Sequence, residues 1–269
     1  MSDTLKKPTV GFFVTCLVDI MRPRVGFAAV KLLEQAGCEV EVPRSQSCCG
    51  QPAYNNGDEA NSLAIAKQII KVFDQFDYIV VPSGSCAGMF SEHFPRLFRY
   101  DLDWLHRAQR MAAKTWELTR FLVEVMGVDS LDSCYPAKCA YHDSCSGLRE
   151  LGIREQPRQL LSLVKGLSLA ELNDRDVCCG FGGTFSVKYP EISTRLVSNK
   201  ASNLEQTSAD ALLGGDLGCL LNIAGRLRRE GSATKVFHIA EVLAGMADGP
   251  GERWFCRCKT DCCRRPGGI

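Results

Sequence analysis

Fifteen cysteines stand in this chain of 269 residues, and eight of them form two groups of four in one repeated order. In the first group Cys16 precedes 31 residues, then the adjacent pair Cys48 and Cys49, then 36 residues and Cys86. In the second, Cys145 precedes 32 residues, the pair Cys178 and Cys179, then 39 residues and Cys219. An iron–sulfur cluster needs about four thiolates converging on one pocket, and each group supplies four. Adjacent cysteines bridge one another poorly, but their sulfurs can reach different irons of one cluster. Gly50 and Gly180 follow the two pairs and tolerate the positive φ of a sharp turn there. Gly182 and Gly183 loosen the second loop further. The eight cysteines are thus candidate ligands of two clusters.

Blander roles compete for the other thiols. A lone buried cysteine is usually a small hydrophobe, which is the reading for Cys38. Cys134 and Cys139 lie between the groups without partners of their own kind and read as packing residues. His142, beside a predicted strand, is open to a role as ligand or proton carrier, but reads more readily as a hydrogen-bonded structural histidine. Zinc at one four-thiolate site is the alternative cofactor, although zinc sites favour close Cys-x-x-Cys pairs. Here each set is spread over about 70 residues. The tail cysteines Cys256, Cys258, Cys262 and Cys263 have no counterpart in the first half.

The elements that position these thiols repeat as well. Residues 10–15 and 137–142 read as buried strands opening each half. Residues 24–35 read as a helix stopped at Gly37, with a strand over 38–42. Apolar spacing predicts a helix over 55–76 and β-branching a strand over 78–81. Residues 192–204 and 211–213 are the matching helix and strand. Alternating strands and helices imply an α/β fold of two pseudo-symmetric Cys-Cys-Gly modules, each a small, mostly parallel sheet flanked by helices. The expected boundaries are 1–130 for the first module, with a helical insertion at 89–127, and 131–247 for the second. Residues 248–269 form a cysteine-rich tail expected to be poorly ordered. Helices opening after Cys16, Cys86 and Cys219 would aim backbone N–H groups at an anionic cluster.

Composition narrows the function. Lys plus Arg (32) nearly balances Asp plus Glu (31), which gives no electrostatic case for nucleic acid as a partner. The apolar run 10–18 lacks a cleavage pattern, and no stretch reaches the ~20 residues of a bilayer span. A cytoplasmic location follows as the expectation, where reduced thiols serve metal or redox chemistry. No Gly-x-Gly-x-x-Gly opens a helix after a strand, so the chain shows no hydride-transfer site of its own.

Six segments carry a family resemblance: V-T-C-L-V-D, S-Q-S-C-C-G-Q-P-A-Y-N-N-G, V-P-S-G-S-C, Y-H-D-S-C, C-C-G-F-G-G-T-F-S-V-K and H-I-A-E-V-L. They resemble the cysteine-rich (Cys-Cys-Gly) domain family, which includes the cysteine-rich subunit of heterodisulfide reductase and the iron–sulfur subunit of glycolate oxidase. The match to its lactate-utilization branch spans about residues 10–245. The resemblance implies an iron–sulfur electron-transfer subunit in L-lactate oxidation to pyruvate, an oxidoreductase subunit without a complete active site. It also implies partner subunits, one of them a second iron–sulfur protein. The heterodisulfide reductase subunit uses five cysteines per site, closing in Cys-x-x-Cys. Here Ser83 and Asp216 replace the first cysteine of each closing pair. Ordinary 4Fe–4S clusters on four thiolates are therefore the expectation, with Ser83 and Asp216 as candidate extra ligands. The alternatives are a heterodisulfide-reductase-like or glycolate-oxidase subunit, and a zinc-stabilised scaffold.

Overall fold

The structure is a computed structural model, and it describes residues 7–247. Among these residues eight short strands make two four-stranded sheets. The first holds β1 (Thr9–Phe12), β2 (Glu39–Glu41), β3 (Tyr78–Val81) and β4 (Thr115–Glu117), in the order β2-β1-β3-β4. The second holds β5 (Lys138–His142), β6 (Ser168–Ala170), β7 (Ala211–Gly214) and β8 (Lys235–His238), in the order β6-β5-β7-β8. Every pairing is parallel, and the strand order of the first sheet repeats in the second. The duplication read from the cysteines is therefore a duplication of topology.

That topology places the thiols. In each sheet the chain leaves the first strand on one side and returns on the other, so a crevice opens at the carboxyl ends of β1 and β3, and of β5 and β7. Ligands of parallel α/β sheets bind at such switch points. Cys16 follows β1 and Cys86 follows β3; Cys145 follows β5 and Cys219 follows β7.

Several elements differ from the sequence expectation. The helix expected over 55–76 is broken, with Gln51–Asn55 and Glu59–Phe73 as separate helices. Gly57 at φ 75° turns the chain between them, and Asp58 caps the second helix by accepting from Asn61 N. The insertion at 89–127 is helical over Leu102–Ala113 but also contributes β4. Thr115, Trp116 and Glu117 become a strand only because β3 offers them an open edge. β8 fills the equivalent place in the second sheet, so the repeat runs further than the cysteines showed. The tail 248–269 and its four cysteines lie outside the described residues.

Period-two alternation gives the first sheet two buried faces. Phe13, Ile79 and Val81 turn to a cluster with Ile69, Ile70, Phe73 and Phe90. Val10, Phe12 and Val80 turn to a second cluster that also contains Ala140, Leu212, Ile223 and Leu243 of the second module. One apolar core therefore crosses the module boundary.

The terminal elements cross it too, and reciprocally. Helix Ile239–Leu243 of the second module packs on Pro23–Gln35 of the first, while Leu118–Arg120 packs on Glu155–Ser162 of the second. Arg22 Nε meets Glu241 Oε1 at 3.0 Å, and Lys31 Nζ donates to Ala244 O at 2.8 Å.

Candidate functional site

Local sequence sets each thiol. Thr15 and Ser144 cap helices Cys16–Met21 and Cys145–Arg149, so each first cysteine opens a helix. Cys86 and Cys219 lie in the first turns of helices Gly84–Gly88 and Leu217–Arg229, whose N-caps are Ser83 and Asp216. The Cys-Cys pairs sit in loops turned by Gly50 at φ 84° and Gly180 at φ 85°. Gly180 has a second reason to be glycine: a Cβ there would lie 2.6 Å from Ser193 O.

The four thiols of each group come together. Cys16 Sγ lies 4.0 Å from Cys48 Sγ, and Cys49 contacts both Cys48 and Cys86. In the second group Cys145 contacts Cys178, Cys178 contacts Cys179, and Cys179 contacts Cys219. Cys49, Cys86, Cys179 and Cys219 are buried, while the leading cysteine of each group and of each pair is half-buried.

Crowding sorts their acidities. Cys48 is held far below the usual thiol range by hydrogen bonds from Cys16 and then Cys49; Cys178 is held low by Cys145 and then Cys179. Cys16 and Cys145 are pushed up by sharing that proton, and burial adds to it. Cys49 and Cys179 are pushed up by hydrogen bonds to their neighbours and then by burial. Four thiolates cannot coexist in one low-dielectric pocket without positive charge between them. A multivalent metal centre would supply it.

The remaining described cysteines sit elsewhere. Cys38 is buried with its Sγ 3.7 Å from Met126 Sδ, and burial pushes its thiol up to about 11. Cys139 is wholly buried in β5, its thiol pushed up to about 12 by burial and then by Asp210. Both are packing residues, as the sequence suggests. Cys134 pairs with Lys165 in an isolated parallel bridge.

His142 departs from its expectation. It is 2% exposed, and neither ring nitrogen has a hydrogen-bond partner among the described residues. One ring nitrogen and the Sγ atoms of Cys179 and Cys219 all lie within 4.8 Å of one another. Burial, and then the Lys200 ammonium, lower its pKa to about 3, so the ring is neutral. Lys200 is itself buried, its Nζ donating to Asp174 O at 2.7 Å.

Ser83 and Asp216 are buried at the module boundary. Besides capping their own helices, they hydrogen-bond to each other at 2.9 Å. Next to them Gly84 meets Gly147 so closely that a Cβ on Gly84 would lie 2.8 Å from Gly147 Cα. The helix carrying Cys86 thus packs against the helix opened by Cys145, and the two sites face one boundary.

Two boundary residues escaped the sequence reading. Glu117 ends β4 and accepts from Thr119 N at 2.8 Å; burial pushes its carboxyl up to about 7. His238 ends β8. Its Nδ1 accepts from Ala240 N at 3.2 Å, so the proton is on Nε2, which donates to Pro82 O at 3.1 Å. Each caps the helix that follows it, which is a local role; what the chain alone hides is their burial, set by segments far along the sequence.

Comparison with known proteins agrees with this architecture. A profile of the cysteine-rich domain family matches twice, over residues 10–91 and 139–224. Lactate utilization protein A of Oceanobacillus iheyensis is 48% identical over 240 residues, covering 89% of this chain and 98% of that protein. Lactate utilization protein A of Bacillus subtilis is 50% identical over 234 residues, covering 87% of this chain and 98% of that protein. Among solved structures, a hypothetical protein from Helicobacter pylori superposes with a TM-score of 0.64 at 10% identity. That match takes in 91% of this chain and 50% of that one, and shows likeness of fold alone. With two profile matches over two sheets of one topology, each closing on a Cys-Cys-Gly loop, the chain belongs to the cysteine-rich domain family, alongside the lactate utilization protein A sequences.

Proposed function

We propose that this chain is an iron–sulfur electron-transfer subunit that serves the oxidation of L-lactate to pyruvate. The observation that carries the reading is the convergence of four thiols at each of two equivalent switch points, facing one shared boundary. The chemical role comes from the thiols, and the substrate comes from the relatives named for lactate utilization.

The residues present fit two 4Fe–4S clusters. Each site offers four sulfur donors, a positive-φ glycine that lets backbone lie close, and acidities already distorted by crowding. Lactate oxidation releases two electrons and two protons, and two clusters would accept the electrons one at a time. The chain's own residues hold the thiols in place and fix the two sites against each other. The carbon chemistry belongs to a partner subunit, and a second iron–sulfur protein would be a further carrier. Exposed Ile20 and Met21, on the helix that Cys16 opens, and exposed Val187 and Tyr189, beyond the Cys178 loop, offer apolar surface for such partners. Among the described residues no helix is long and apolar enough to cross a membrane.

Anaerobic purification followed by iron, sulfide and zinc analysis tests this directly. About eight irons and eight sulfides per chain, with a brown absorption that bleaches with dithionite, is the expected result. Colourless, zinc-loaded protein without redox activity would replace it with a structural-metal reading. Lactate oxidation by the isolated chain with a dye acceptor would move the chemistry onto this subunit.

A further inference from the structure

We propose that His142 is an iron ligand of the second centre, which makes the two centres chemically unequal. The inference rests on the iron–sulfur reading and goes beyond it, because it gives the second site a nitrogen donor that the first lacks.

The comparison within the chain is direct. His142 stands three residues before Cys145, and Phe13 stands three residues before Cys16. Both side chains are buried, His142 as the last residue of β5 and Phe13 one residue beyond the end of β1. Phe13 packs edge-on against Phe90, with ring centroids 4.8 Å apart, and needs nothing more. An imidazole in the same place carries two polar atoms that apolar packing cannot satisfy. Burying such a group without a partner is unfavourable. Yet neither nitrogen of His142 is hydrogen-bonded among the described residues.

Its surroundings supply a different use. One nitrogen shares a space within 4.8 Å with the sulfurs of Cys179 and Cys219. Neutral imidazole binds iron well; with five donors for four irons at this site His142 takes the place of one thiolate, and nitrogen in place of thiolate sulfur raises a cluster's potential. The Lys200 ammonium, buried beside the same pocket, acts in the same direction. The second centre is therefore where a shared electron comes to rest.

Pulsed electron paramagnetic resonance on the reduced, full-length protein grown with 15N-histidine tests the assignment. The chain has four histidines, so labelled wild type and His142→Phe suffice to assign a signal. The expected result is a hyperfine coupling of the size given by iron-bound nitrogen, present in wild type and lost in His142→Phe. The variant should keep its circular dichroism, and a redox titration should show one centre shifted to lower potential and the other unmoved. If His142→Phe fails to hold the second cluster, His142→Cys should restore iron and sulfide without the nitrogen coupling. Clusters present in wild type with no histidine coupling, or only the weak coupling of a hydrogen-bonded nitrogen, overturn the ligation and leave the electron-transfer reading standing. A coupling that survives in His142→Phe overturns it as well. Protein that binds no iron under anaerobic reconstitution overturns both.

Discussion

Ser83 Oγ donates to Asp216 Oδ2 at 2.9 Å across the module boundary, joining two residues 133 positions apart that hold equivalent places in the repeat. Each is the N-cap of the helix carrying the last cysteine of its own group. Asp216 Oδ2 also accepts from Ser85 N at 3.1 Å, while its Oδ1 accepts from Gly218 N at 3.2 Å. One carboxylate thus ties the two site-bearing helices together. We assign Ser83 and Asp216 this joining role, in preference to metal ligation.

Removing that carboxylate should cost both a cap and an inter-module tie. Asp216→Ala is expected to destabilise the chain by about 2–4 kcal/mol, from the lost cap and the buried donors left unpaired. Asp216→Asn keeps one acceptor oxygen but sets its amide N–H against the donors on the other side, so it should lose about 1–3 kcal/mol, less than the alanine variant. Urea denaturation of matched preparations separates the two. Equal losses in both variants would show that the hydrogen bonds carry little.

The contact between Gly84 and Gly147 leaves no room for a methyl group. A Cβ on Gly84 would lie 2.8 Å from backbone atoms of Gly147 and 3.0 Å from Ser144 Oγ. Gly84→Ala should therefore cost about 1–3 kcal/mol and lower the iron content of both sites. Gly57→Ala is the control: its φ is positive, but nothing lies within 4 Å. It should cost about 1–2 kcal/mol and leave iron unchanged. Normal iron in Gly84→Ala would show that the two sites do not depend on this contact.

Glu117 gives a pH dependence of known sign. Burial raises its pKa from the ordinary 4.5 to about 7, so the folded chain holds a proton there that the unfolded chain has released. Its contribution to stability is complete below about pH 4.5 and is lost as pH rises to about 7. Glu117→Gln can still accept from Thr119 and Arg120 and has no proton to lose. The variant should match wild type near pH 4.5 and become more stable than it above pH 7, by on the order of 3 kcal/mol. A stability difference that stays flat between those limits would place the titration elsewhere.

Single cysteine replacements test whether the sites are separate. Cys86→Ser should take iron and sulfide to about half, and Cys219→Ser should do the same through the other site. The double variant should bind almost none. Cys38→Ser and Cys139→Ser should keep full iron and show only a core-packing penalty, measured by denaturation. Full iron in Cys86→Ser would remove that thiol from the ligand set.

Periodic features were legible in the chain alone. Cysteine order and spacing disclosed the duplication, because a ligand set is tied to fixed strand ends. Alternating apolar strands and helices disclosed parallel α/β sheets, because burial on both faces leaves that imprint on the chain. Gly50 and Gly180 were legible as turns, since their conformation is a local property. Gly57 and Asp58 were equally local, and the break they make in the predicted helix follows from the Asn-Gly-Asp signal at 56–58. Other features exist only in the folded molecule. Thr115 to Glu117 has too few residues to declare itself a strand, and pairing with β3 makes it one. Whether His142 was satisfied, whether Ser83 met Asp216 and how far Glu117 was desolvated all depended on residues far along the chain. Local sequence sets backbone preference and apolar period; hydrogen-bond partners and dielectric surroundings arise only when distant segments pack together.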